Sequence, residues 1–109
     1  RLVEFIQEKI QQGYQPQILF GALKRKDYSG MLTYLTEHLP DVALYVTSFD
    51  YQGSLEEQDF GDHTSIASYR DFIDHFEASA GEQDLLFVTG SLYFISEVRA
   101  YLMASDSFD

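Results

Sequence analysis

The run Leu85-Leu86-Phe87-Val88 ends at Gly90-Ser91, and there the spacing of apolar residues changes from continuous to helical. Four apolar residues without polar alternation suit a strand buried on both faces of a parallel sheet. Beyond Ser91, the residues Ile95, Val98 and Leu102 share one helical stripe, with Phe94 and Tyr101 beside it. A strand, a tight glycine turn and a helix in succession predict a β-to-α corner. Such a corner aims the amides of Ser91 and Leu92 out of a helix start, where unpaired donors and the helix dipole favour an anion.

The rest of the chain repeats this alternation. Leu2, Val3, Ile6 and Ile10 form a helical stripe that Gly13 and Pro16 bring to an end. Residues 17–22 read as a strand. Asp27 is placed to cap a second helix carrying Tyr28, Leu32, Leu35 and Leu39; Gly30 weakens its first turn and Pro40 stops it. Residues 42–47, rich in branched and aromatic side chains, predict the next strand, which opens into a loop at 48–53. Ser54 with Glu57, and Ser68 with Asp71, have capping-box spacing. The first pair would start a brief helical turn. The second would start a helix that buries Tyr69, Phe72, Ile73 and Phe76 and that Gly81 ends. Between them, residues 56–65 are acidic and aperiodic, which predicts a loop with a short edge strand near Phe60. The tail from Ala104 to Asp109 is small and polar apart from Phe108, and is expected to fray.

Helices alternating with strands in this order predict an α/β fold of three layers, a mainly parallel sheet with right-handed crossovers and helices on both faces. Ligands of such sheets bind at the carboxyl ends of the strands. The loops at 23–27, 48–53 and 89–91 are therefore expected on one rim. At 109 residues the chain is read as a single domain, residues 1–109. Its first helical stripe starts beside Arg1 with no capping residue ahead, as in a piece of a longer protein.

Composition narrows the partners. Eighteen acidic against seven basic side chains give a net charge of −11, which repels phosphate backbones and anionic lipid. Neither nucleic acid nor a membrane surface is an expected partner. There is no cysteine, no apolar run near the roughly 20 residues of a bilayer span and no visible signal peptide, so the cytoplasm is the expected compartment. His38, His63 and His75 lie on different elements without ligand spacing, and no metal site is expected.

Three of the seven basic residues, Lys24, Arg25 and Lys26, adjoin one another at the end of the first strand. They form either a solvated loop or a cation cluster facing phosphates or carboxylates. Ser91 likewise either caps the last helix or, with its neighbouring amides, holds a carboxylate. Residues 89–93 lack the second glycine of a nucleophile elbow, which argues against a serine hydrolase. The seven glycines form neither a GxxxxGK[ST] loop nor a GxGxxG turn, so the chain is not expected to cradle ATP or a dinucleotide by itself.

Thr89-Gly90-Ser91-Leu92-Tyr93-Phe94-Ile95-Ser96-Glu97-Val98-Arg99 closely resembles the closing motif of bacterial folylpolyglutamate synthase, often bifunctional as dihydrofolate synthase, in the Mur ligase superfamily. Phe20-Gly21-Ala22-Leu23, followed by Lys26-Asp27-Tyr28 and Gly30-Met31-Leu32, resembles the strand and loop near the start of that family's C-terminal domain. A weaker match is Thr47-Ser48-Phe49-Asp50-Tyr51, which lacks the proline and arginine that the family has just after it. The resemblance implies the C-terminal domain of an ATP-dependent ligase, in which a folate or dihydropteroate carboxyl becomes an acyl phosphate and is joined to L-glutamate. It also implies that Ser91, with Gly90 and Tyr93, receives the glutamate α-carboxylate, and that Lys26, Asp27 and Lys24 face the ATP side across a domain interface. No catalytic residue is assigned to this piece. ATP and Mg2+ would be held mainly by an N-terminal ATPase domain, without which the piece would be inactive. The family's Asp-Gly-Ala-His-Asn-Pro motif and the first strand, which lies inside the sheet in the family, would precede Arg1. Two other readings remain: a non-catalytic doubly wound module holding a small anion, and the equivalent domain of another Mur ligase. Tyr93 and Phe94 after Ser91 favour the folate enzyme over the latter.

Overall fold

Along Gln15–Gly21 the side chains alternate between two apolar layers: Ile18 and Phe20 enter one, Leu19 the other, and all three are buried. A strand that is apolar on both sides belongs in the middle of a sheet covered on both faces. The computed structural model describes residues 1–106 and places this strand, β1, in that position. In chain order the elements are α1 (Leu2–Gln11), β1 (Gln15–Gly21), α2 (Tyr28–His38), β2 (Ala43–Val46), a 3-10 turn at Glu57–Asp59, β3 (Thr64–Ser65), α3 (Tyr69–Ser79), β4 (Asp84–Gly90) and α4 (Leu92–Asp106). The strands lie in the order β3-β2-β1-β4 and every neighbouring pair is parallel. From β1 the chain winds outward through β2 to β3, then returns through α3 to β4 on the far side of β1. Val3, Ile6, Leu32 and Leu35, from α1 and α2, pack with Ile18, Phe20 and Val46 on one face. Tyr69, Ile73, Phe94 and Val98, from α3 and α4, pack with Leu19 on the other. The expected three-layer α/β architecture is the one observed.

Local signals account for most element ends. After α1 the Gly13 amide donates to Ile10 O and the Tyr14 amide to Lys9 O, a closure that requires the left-handed φ of +94° at Gly13. The Asp27 carboxylate caps α2 by accepting from the Gly30 amide at 3.0 Å. A Cβ on Gly30 would collide with that carboxylate, so the glycine that weakens the first turn is also what lets the cap close. Ser68 caps α3 by accepting from the Asp71 amide.

Elsewhere the structure departs from the sequence pattern. Ser54 does not cap the brief helical turn; its hydroxyl is buried, accepting from Phe49 N–H and donating to Leu55 O, and Glu56 caps instead, in a reciprocal box with Asp59. The short edge strand lies at Thr64–Ser65 rather than near Phe60, whose ring is buried in the core. β4 is not buried on both faces. It occupies an edge of the sheet, where each of its residues stays half-exposed. The buried line of α4 runs through Phe94 and Val98, with Ile95 only half-buried. Helix α4 continues through Asp106 rather than fraying from Ala104; Phe108 lies outside the described residues. β1 and β4 pair directly from Gln15 with Asp84 to Gly21 with Gly90, so no gap is open between them for the additional inner strand that the family resemblance implies.

Two glycines close the rim where β1, β4 and α4 meet. Gly90 sits at φ +117°, and a Cβ there would run into the Gly21 carbonyl. A Cβ on Gly21 would come within 2.6 Å of the Phe94 ring. Only backbone fits between these elements.

Candidate functional site

The winding direction of the chain reverses between β1 and β4, and in doubly wound sheets the crevice outside the carboxyl ends at such a reversal is where ligands bind. A cleft of about 540 Å³ opens there, between the loop after β1 and the corner between β4 and α4. Ala22, Leu23 and Met31 give it apolar surface; Arg25, Lys26 and Asp27 stand on one side, and Gly90, Ser91, Leu92 and Tyr93 on the other. A second hollow of about 380 Å³ shares Asp27 and Met31 with it and reaches the start of α1.

Ser91 takes the first of the two roles that its sequence left open, the helix cap. Its Oγ accepts from the Tyr93 amide at 3.1 Å, which caps α4. Its own amide is not available to an anion, because it donates to Gly21 O at 2.8 Å as the last rung between β1 and β4. What the corner offers is the Ser91 hydroxyl proton and the amide of Leu92, which has no protein acceptor among the described residues. Both donors sit at the positive end of a helix fifteen residues long.

The three adjacent cations separate. Lys24 turns away from the cleft to pair with Glu56 and, at 3.8 Å, with Asp59; the Glu56 carboxylate raises its ammonium pKa above the ordinary value. The structure therefore does not bring Lys24 to the cleft, contrary to its placement beside Lys26 and Asp27. Arg25 takes that place. Neither Arg25 nor Lys26 has an ion-pair partner among the described residues, and both line the cleft. Asp27 lines it too, with its Oδ1 committed to the cap of α2.

The loop at 48–53 reaches the same rim through Tyr51, whose ring stacks on Tyr93 with centroids 4.4 Å apart and planes at 22°. Hydrogen bonding with the Tyr93 hydroxyl holds the Tyr51 phenol above its usual pKa. All three loops expected on one rim meet there. Tyr51 and Arg25 were not singled out by sequence as site residues; the cation run and the match around Asp50 were the available signals. No group of three or more His, Cys, Asp or Glu among the described residues is arranged to hold a metal ion, and no described helix is long and apolar enough to cross a membrane.

Over 91 residues, 78% of this chain, the sequence is 33% identical to the dihydrofolate synthase/folylpolyglutamate synthase of Bacillus subtilis (strain 168), and the match covers 21% of that protein. No protein-family profile matches the chain, and no solved structure matches it. The alignment takes in most of the chain, as the three motifs do. This chain is a relative of a bacterial dihydrofolate synthase/folylpolyglutamate synthase and spans about a fifth of that protein's length.

Proposed function

We propose that this chain is the C-terminal, glutamate-binding domain of an ATP-dependent ligase that adds L-glutamate to a folate or dihydropteroate. The observation that carries the reading is the cleft at the reversal of winding, where a hydroxyl, a helix-start amide and two unpaired cations converge in a chain of net charge −11. The name of the similar Bacillus subtilis protein supports the folate branch over a ligase of peptidoglycan precursors. The described residues supply no phosphate-cradling glycine loop and no cluster of three or more metal-ligating side chains. The reading assigns ATP and Mg2+ to an N-terminal ATPase domain of the parent protein, where the folate carboxyl is activated as an acyl phosphate.

The part left to this domain is binding and orientation. Ser91 Oγ–H and Leu92 N–H donate to the glutamate α-carboxylate, and hydrogen bonds to a charged group contribute about 1.5–3 kcal/mol each. Arg25 and Lys26 offset the substrate's negative charge, and Tyr93 covers the polar contacts from water. Glutamate held in this way presents its amine to the acyl carbon; the new amide bond forms as phosphate departs.

In the full-length protein, Ser91→Ala is expected to raise the KM for L-glutamate about tenfold, a loss of roughly 1.4 kcal/mol, while the Kd for ATP stays within about twofold. Steady-state kinetics and calorimetric titration read the two quantities. If both kcat and KM for glutamate are unchanged, Ser91 leaves the site. A parent gene without a phosphate-binding loop upstream removes the ligase reading altogether.

A further inference from the structure

Glu97 lies one and a half turns into α4, outside the cleft, yet its carboxylate is the meeting point of three elements. Its Oε2 accepts from the buried Tyr69 hydroxyl of α3 at 2.6 Å and from the Asp50 amide of the loop at 3.1 Å. Arg70 lies 3.6 Å from the same oxygen and 2.8 Å from Asp50 Oδ2, with its guanidinium over the Tyr69 ring. Glu97 itself is 19% exposed and its bond to Tyr69 is partly buried, whereas Arg70 and Asp50 remain open to solvent. The residue after Asp50 is Tyr51, and its ring stacks on Tyr93, which lines the cleft and lies four residues before Glu97 on the same helix.

We propose that Glu97 is a positioning residue: it fastens the loop at 48–53 to α4 so that Tyr51 rests on Tyr93 and the wall of the substrate cleft is set before substrate arrives. Its effect on glutamate use rests on the reading given under Proposed function; the fastening itself does not. An acceptor at this point is what the Asp50 amide and the Tyr69 hydroxyl require, because without it both donors lose their partner; the loop's ends stay anchored by the buried Phe49 ring against Phe94 and by Gly53 O accepting from Lys24 N–H, while its Asp50–Tyr51 stretch keeps the Arg70 ion pair and the Tyr51 stack. Order imposed on a wall before binding lowers the entropy lost on binding, and therefore acts on affinity rather than on the chemical step.

The experiment compares Glu97→Ala and Glu97→Gln in the full-length protein. A glutamine retains an oxygen for Tyr69 O–H and Asp50 N–H, so it preserves the fastening while dropping the charge near Arg70. Glu97→Ala is expected to raise the glutamate KM about tenfold with kcat within about twofold, and Glu97→Gln to restore KM to within about threefold of wild type. Amide hydrogen exchange at Asp50 gives a readout that needs no activity: it should accelerate about tenfold in Glu97→Ala and stay near wild type in Glu97→Gln. Unchanged exchange at Asp50 in Glu97→Ala overturns the proposal, and so does a glutamine variant that behaves like the alanine one. Absence of glutamate-dependent turnover in the wild-type protein would refute the ligase reading instead, and the exchange measurement would still decide the fastening.

Discussion

Tyr69 is 3% exposed, and burial, reinforced by the hydrogen bond to Glu97, pushes its phenol pKa well above the ordinary value of 10.0. The folded protein therefore holds this proton more tightly than the unfolded chain does. The resulting stabilisation is complete below pH 10 and is lost as the pH climbs from there toward the folded-state value. Urea unfolding between about pH 10 and 11.5 should show stability falling, and Tyr69→Phe should flatten that fall by up to about one proton's worth of slope. Equal slopes in the two proteins would mean that the phenol ionises alike folded and unfolded. At this scale the sequence was readable where both partners lie within a turn of each other, as Asp27 with Gly30 and Ser68 with Asp71 do. It misled at Ser54, because capping spacing does not reveal whether a hydroxyl faces inward. It also could not separate Lys24 from Arg25, since the carboxylates that draw Lys24 away stand at Glu56 and Asp59, far along the chain.

Contact between β1 and α4 depends on a missing side chain. Gly21 lies against the fully buried Phe94 ring, with no room for a methyl group between them. Gly21→Ala should cost about 1–3 kcal/mol by overpacking, and the double variant with Phe94→Leu should be more stable than the sum of the two single changes implies, by at least about 0.5 kcal/mol. Chemical denaturation of the four proteins measures the coupling; strict additivity would mean that the two positions do not press on one another. The existence and order of the elements were readable because period and capping are local properties. The rank of a strand within its sheet is not local. Leu85 to Val88 read as a strand buried on both faces, but burial is decided by neighbours, and β4 has one where β1 has two. Gln17, by contrast, gives β1 a less apolar sequence, yet Ile18, Leu19 and Phe20 are the strand residues that the two layers enclose.

For the whole molecule, a net charge of −11 on a body with a radius of gyration of 13.9 Å is self-repelling. At about 10 mM salt the screening length, about 30 Å, exceeds that radius, and at about 150 mM it shrinks to about 8 Å. The thermal midpoint is therefore expected to rise across that range, as scanning calorimetry would register. A fall would show that the Lys24 and Arg70 ion pairs outweigh the general repulsion. At this scale the convergence of three loops was readable, because a parallel sheet puts every strand-to-helix corner on one rim. The shape of the cleft was not readable, since it depends on Tyr51 finding Tyr93 across forty-two residues of chain. One detail of that rim reaches beyond recognition. The Ser91 amide is the final stitch in the seam between the two longest strands, while its hydroxyl faces the cleft. Whatever that hydroxyl grips is clasped to the end of the seam, so occupancy should slow the opening of the sheet at the corner, and the breathing of a single hydrogen bond becomes a gauge of whether the cleft is full.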